Sequence, residues 1–150
     1  MSTPRDRRGQ TLLALGFMLA MLLVACNSAP RTVDTPPAFP GATELEEGEN
    51  AMADLMATTL REFTTVEADI DITTYALPED GTWEAVRTHY ADAFAGSDWS
   101  VNESLAMEYD NFRSHGWRRG APGQGEVFVI SYVLDPEDQS PLLTVGHFSE

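Results

Sequence analysis

The chain has one cysteine and no lysine among its 150 residues. A single cysteine excludes an intrachain disulfide in any compartment, so Cys26 needs another explanation. The lack of lysine excludes Schiff-base chemistry and a P-loop lysine. Nine arginines stand against 24 acidic residues, which gives a formal net charge of -15. Because so acidic a surface repels nucleic acid, we expect no nucleic-acid partner.

The first 26 residues combine a basic start, an apolar run and the cysteine. Arg5, Arg7 and Arg8 precede residues 11–25, which form an uncharged run of 15 residues. A helix of that length rises about 22 Å, short of the ~30 Å hydrocarbon core of a bilayer. The run is therefore typical of a signal peptide rather than of a membrane span.

The run ends in Leu23-Val24-Ala25-Cys26, which resembles the lipobox of bacterial lipoproteins. The resemblance implies a diacylglyceryl group on the Cys26 thiol, cleavage before Cys26, and acylation of the new amino group. Two or more acyl chains hold a protein stably on a membrane. We expect a lipid anchor on the cell membrane or the outer membrane, with the folded part outside the cytoplasm. An uncleaved anchor helix and a twin-arginine signal at Arg7-Arg8 remain as alternatives.

This interpretation divides the chain into a signal peptide (1–25), a lipidated cysteine with a proline-rich tether (26–43) and a small domain (44–150). The tether carries four prolines, which disfavour regular helix. Its 17 residues after Cys26 reach about 50 Å when extended. Phe39 is the one large aromatic residue in the tether, and we expect it to make the first contact with the domain.

The periodicity of the domain predicts an α+β fold. A helix is expected over 44–63, with its true start nearer Asn50, and a second helix runs from the cap Thr82 to about 95. Almost strict alternation over 66–77 predicts a strand with one wet face. Residues 104–116 are expected as a loop, with helical turns as an option. Further strands are predicted at 99–103, 117–119, 126–134 and 142–148. Short turns favour a single antiparallel sheet of about 4–5 strands with two helices packed on one face.

The sequence has no catalytic motif that we can assign. It has neither a GxSxG elbow nor a GxGxxG loop, and its three histidines lack a recognisable metal spacing. Our leading hypothesis is a non-enzymatic binding or assembly domain without a cofactor. The alternative is a calcium- or zinc-dependent binder or enzyme that uses His115 and the acidic face of Glu67, Asp69 and Asp71.

Trp117, Arg118 and Arg119 form the candidate ligand contact. Arg118 and Arg119 are the one adjacent basic pair after Cys26, and Trp117 is the best candidate for an exposed aromatic residue. Together they would attract a carboxylate or an acidic partner. The competing interpretation pairs these arginines with acidic residues of neighbouring strands.

Overall fold

One antiparallel sheet dominates the fold, in a computed structural model that describes residues 31–63 and 70–149. Its order is β1-β2-β7-β6-β5-β3, and β4 also pairs with β5. The long strands are β2 (Ile70–Ala76), β5 (Phe112–Arg119), β6 (Glu126–Leu134) and β7 (Pro141–Ser149). The two-residue strands are β1 (Thr43–Glu44), β3 (Ser100–Val101) and β4 (Met107–Glu108). The helices are α1 (Ala51–Phe63) and α2 (Trp83–Phe94), and a 3-10 turn spans Glu103–Leu105.

The α+β class and the antiparallel sheet are confirmed, but the predicted strand number is too small. The sheet has seven strands, not four to five. The strands β1 and β4 were not predicted, because two residues are too few to show a period. The loop expected over 104–116 contains β4 and the first half of β5.

Local capping sets the ends of both helices. Asn50 Oδ1 accepts a hydrogen bond from the Ala53 amide at 2.9 Å, so α1 begins after the predicted cap rather than at residue 44. Thr82 Oγ1 accepts from the Ala85 amide at 3.3 Å and caps α2 as predicted. Gly96 follows α2 with a φ of 69°, a left-handed conformation that glycine adopts without strain.

Strand β6 is apolar on both faces. Phe128 and Ile130 point to one side of the sheet, and Val129 and Val133 point to the other. All four side chains are buried. A strand with this pattern needs a covering layer on each side.

The two helices pack on opposite faces of the sheet, so the prediction of both helices on one face is wrong. Helix α2 packs on the side of Phe128 and Ile130, which we call the α2 face. Helix α1 packs through Met56 against Val133 and Leu142, on what we call the α1 face. The prediction failed because it assigned a wet face to the whole sheet from the alternation of a single strand near its edge.

Aromatic rings fill the space between α2 and the sheet. Tyr90 and Phe94 lie 5.4 and 5.1 Å from Phe128, measured between ring centroids. Trp99 and Trp117 lie 5.0 and 5.1 Å from Phe94. Packed rings of this size supply most of the buried apolar area of a thin domain.

The proline-rich segment completes this aromatic core. Val33, Phe39 and Ala42 pack against it, which confirms the predicted contact of Phe39. Trp99 Nε1 donates a hydrogen bond to the Val33 carbonyl at 2.8 Å. The compact unit begins at Arg31, so the folded part starts earlier than the expected boundary at residue 44.

Candidate functional site

A cleft runs along the α1 face, because α1 covers only part of that face. The helix packs over β2 and β7, which leaves β5 and β6 beside it. The 3-10 turn and β4 stand on the far side of the open strip. The space between these two walls has a volume of about 740 Å³. Ligand-binding pockets have volumes of roughly 300–1,000 Å³.

Strand β6 forms the centre of the cleft floor. Val127, Val129, Ser131 and Val133 all point into the cleft from this strand. From Val133 to Val127 the floor extends about 20 Å, at the ~3.3 Å rise of each strand residue. The floor is therefore long, narrow and mostly apolar.

Methionines line both walls of the cleft. Met52 and Met56 come from α1, and Met107 comes from β4. These are all the methionines that follow residue 30. Leu55 on α1 and Met107 are 58% and 39% exposed, so apolar surface meets water at the rim. Methionine side chains are flexible and adapt to ligands of varied shape.

Two glycines bring the walls close to the floor. Gly116 and Gly146 lie on either side of Val129 in the strand register. A Cβ at Gly146 would lie 2.6 Å from Leu60 Cδ2 of α1, and a Cβ at Gly116 would lie 2.5 Å from Leu105 Cδ1. Only glycine allows these close approaches, so the backbone itself sets the position of each wall.

A row of hydroxyl groups crosses the α1 face. Thr74, Thr144, Ser131 and Ser114 are in register on four neighbouring strands, and each is less than 9% exposed. Ser114 Oγ donates to the Leu105 carbonyl at 2.7 Å, which ties the 3-10 turn to the floor. Ser131 and Ser114 line the cleft, so the apolar floor has a polar band across its middle.

Arg118 stands at one end of the floor, where it pairs with Val127. It is the one charged side chain among the described residues that line the cleft, and those residues include no aspartate or glutamate. The described lining residues therefore include one positive formal charge and no negative one.

The three residues of the predicted ligand contact do not lie on one face of the sheet. Neighbouring residues on a strand point to opposite faces, so Arg118 faces α1 while Trp117 and Arg119 face α2. Trp117 is 2% exposed and belongs to the aromatic core, so it is not the exposed contact that was expected. Only Arg118 of this set lines the cleft.

Arg119 pairs with acidic neighbours, as the competing interpretation proposed. Its Nη2 lies 2.7 Å from Glu126 Oε2 and its Nη1 lies 3.4 Å from Asp34 Oδ1. His147 Nε2 is 3.0 Å from the same Glu126 oxygen. Burial acts to raise the pKa of Glu126, but hydrogen bonds from Arg119 and His147 outweigh it and hold the pKa below its usual value.

Of the predicted metal-binding residues, the structure describes His115 and Asp71, and these two lie apart. His115 lies on β5 and Asp71 on β2, with β6 and β7 between them, a separation of about 14 Å across the sheet. The histidine opposite Asp71 is His147. Glu67 and Asp69 lie outside the described residues. Within the described ranges no three His, Cys, Asp or Glu side chains are close enough to share a metal ion.

His115 packs edge-on against Trp117, with 4.8 Å between the ring centroids. Burial, and next the positive charge of Arg87, lower the pKa of His115 below its usual 6.5. The imidazole is therefore neutral at pH 7 and packs at the edge of the aromatic core.

The cleft was not predicted from the sequence, although two signals pointed to it. Met52 and Met56 fall at helical spacing, which is equally typical of an ordinary core-facing stripe. Gly116 and Gly146 lie inside strands, where an isolated glycine indicates a close approach of another element. Neither signal alone predicts which elements meet.

Comparison with protein-family models, with curated protein sequences and with solved structures finds no match to this chain. No helix in residues 31–63 or 70–149 is long and apolar enough to cross a membrane. Cys26 and the signal-peptide segment lie outside the described residues.

Proposed function

We propose that the protein is a lipid-anchored lipoprotein of the cell envelope whose domain binds an apolar ligand in the cleft of the α1 face. The cleft is the observation that carries the binding function. Its size is that of ligand pockets, and its lining is apolar with a few polar groups. Exposed apolar side chains at a rim, such as Leu55 and Met107, are typical of a surface that meets a ligand.

A binding function also agrees with the chemistry of the cleft lining. Among the described lining residues, the polar side chains on the floor are hydroxyls and the one charged group is an arginine. This set contains no aspartate, glutamate, histidine or cysteine among the described residues, so no general base or thiol nucleophile is at hand. The side chains favour holding a ligand over transforming it.

A neutral fluorescent probe tests the binding function. N-phenyl-1-naphthylamine, excited directly, should bind residues 27–150 saturably and gain fluorescence. Thr59 is an exposed α1 residue on the cleft rim, so Thr59→Phe should fill the mouth and weaken binding. Thr58→Phe is the matched control, since Thr58 is its exposed neighbour and does not line the cleft. Equal binding by the two variants, or no saturable binding, would contradict the proposal.

The anchor has its own test. Cells that express the full chain should incorporate labelled fatty acid into the protein, and Cys26→Ser should abolish that incorporation. Label that persists in the Cys26→Ser protein would contradict the lipobox assignment. Recovery of the wild-type protein in the membrane fraction, with Cys26→Ser released from it, completes the comparison.

A further inference from the structure

We infer that the cleft holds an uncharged molecule with a carbonyl group part-way along an apolar chain, such as an aliphatic ester. Ser131 donates the hydrogen bond that recognises the carbonyl oxygen, and Thr144 supports Ser131 from the neighbouring strand. The inference rests on the proposed binding function and adds to it the ligand class and the residue that recognises it.

A buried hydroxyl without a partner lies beside the cleft. Thr144 Oγ1 has no hydrogen bond within the described part of the chain, and the residue is 0% exposed. Buried polar groups are nearly always hydrogen-bonded, so this hydroxyl needs an explanation. Thr144 is directly opposite Ser131 in the register of β6 and β7, on the α1 face. Side chains so placed have their Cβ atoms about 4.5–5.5 Å apart, near enough for two hydroxyls to form a hydrogen bond after a side-chain rotation.

The number of protons in the hydroxyl row selects an acceptor as the ligand group. A hydroxyl has one proton and two acceptor lone pairs. When Thr144 donates to Ser131 Oγ, the proton of Ser131 is left for a group in the cleft, which Ser131 lines. Ser114 has no proton to offer, because its Oγ already donates to the Leu105 carbonyl. A carbonyl oxygen accepts one hydrogen bond here and brings no proton that would need a partner of its own.

The place of Ser131 in the floor excludes a charged ligand group at this point. Ser131 stands between Val129 and Val133 on β6. The one charged side chain of the described lining, Arg118, pairs with Val127, about 13 Å along the strand from Ser131. An ionised group buried among the valines would lack a counter-charge, which is costly. The group at Ser131 is therefore polar and uncharged.

The walls require the ligand to be slender near this point. Gly116 and Gly146 flank Val129, and the side chains of Leu105 and Leu60 approach the floor at these glycines. The apolar floor continues on both sides of Ser131 and extends about 20 Å in all. A flexible chain with a polar group part-way along it fits this shape better than a fused ring system.

Photolabelling of the whole chain in the presence of phosphatidylcholine vesicles tests the inference. Two diazirine probes of equal chain length are compared, an aliphatic ester with its carbonyl near the middle and the matching alkane. Mass spectrometry of the digested protein locates the label, and the label in the vesicle lipid corrects for unequal partition of the probes. We expect the ester to label the peptides that carry Met52 and Val129 about fivefold more than the alkane does, because only the ester accepts a hydrogen bond.

Substitutions at the two hydroxyls connect this preference to the residues. Ser131→Ala should lower ester labelling to the level of the alkane and leave alkane labelling unchanged. Thr144→Val should also lower the ester preference, yet the domain should be no less stable in urea unfolding, since the change removes an unpaired buried group. Ser104→Ala is the matched control, because Ser104 also lines the cleft but its hydroxyl donates to the Asn102 side chain.

The outcomes separate this inference from the binding function. Equal cleft labelling by ester and alkane in the unaltered protein overturns the inference and leaves the proposed function intact. No cleft labelling by either probe overturns both. An ester preference that survives Ser131→Ala or Thr144→Val also overturns the inference. The comparison of probes in the unaltered protein does not depend on the folding of a variant.

Discussion

Replacing Gly146 with alanine tests how closely α1 packs on the sheet. A Cβ at this position would lie 2.6 Å from Leu60 Cδ2 and 3.1 Å from Val129 Cγ1. Both distances are shorter than an ordinary van der Waals contact, so the Leu60 side chain has to move and Val129 has to shift slightly. Overpacking of this kind costs about 1–3 kcal/mol.

Alanine also offsets part of this loss of stability. Glycine in a strand is destabilising by roughly 0.5–1 kcal/mol relative to alanine, because it loses more backbone freedom on folding. The net expectation for Gly146→Ala is a loss of about 1–2 kcal/mol in the free energy of unfolding. Urea unfolding of residues 27–150, followed by tryptophan fluorescence, measures this loss.

A double-mutant cycle with Leu60→Ala decides whether the reasoning holds. Truncating Leu60 removes the closest contact, so Gly146→Ala in that background should no longer destabilise the domain and should gain up to about 0.5–1 kcal/mol from the lower backbone freedom of alanine. Gly116→Ala should cost more than Gly146→Ala, since its Cβ would lie 2.9 Å from Leu105 Cβ, which cannot rotate away. If Gly146→Ala costs the same with and without Leu60, the wall of the cleft does not rest on this glycine.

Three further outcomes are expected. Glu126→Gln should lower the free energy of unfolding by about 1 kcal/mol at neutral pH. Hydrogen bonds to Arg119 and His147 lower the pKa of Glu126, so this difference from wild type is full above the usual pKa of 4.5 and shrinks as the pH falls below it. A constant difference from pH 3 to 7 would refute the ion pairing. Asn50→Ala should lower the free energy of unfolding in urea by about 1–2 kcal/mol, since it removes the α1 cap and the 2.7 Å hydrogen bond to Asp135. Asn50→Asp should keep the cap. Millimolar calcium or zinc should leave the melting temperature of residues 27–150 unchanged, and a rise would revive the metal alternative.

Features set by neighbouring residues could be predicted from the sequence. The caps Asn50 and Thr82 were assigned correctly, because each acts on the turn next to it. Strand β6 could also be predicted, since its β-branched and aromatic residues favour a strand.

The arrangement of the two faces could not be predicted in the same way. On the α1 face, β5 presents Phe112, Ser114, Gly116 and Arg118, a mixture that shows no apolar period. Ser114 and Gly116 are buried under the 3-10 turn, where Ser114 binds the Leu105 carbonyl and Gly116 leaves room for the Leu105 side chain, so neither position is a large apolar residue. The same mixture explains why half of β5 was expected to be loop.

The adjacent arginines show a second limit of sequence reasoning. Arg118 and Arg119 were interpreted as one positive spot because they are neighbours in the chain. On a strand they are separated by the sheet itself, so one pairs with Glu126 and the other lines the cleft. Assigning them to different roles required the strand boundaries of β5, which the sequence left open.

The place of β7 in the sheet bears on how the chain is made. Strand β2 pairs with β1 and with β7, and only β7 joins it to β6. The first half of the domain therefore has no long partner strand until residues 141–149 have been synthesised. Pairings so distant in sequence form late and slowly. The sheet therefore cannot be completed until β7 has been made, however early β5 and β6 pair with each other.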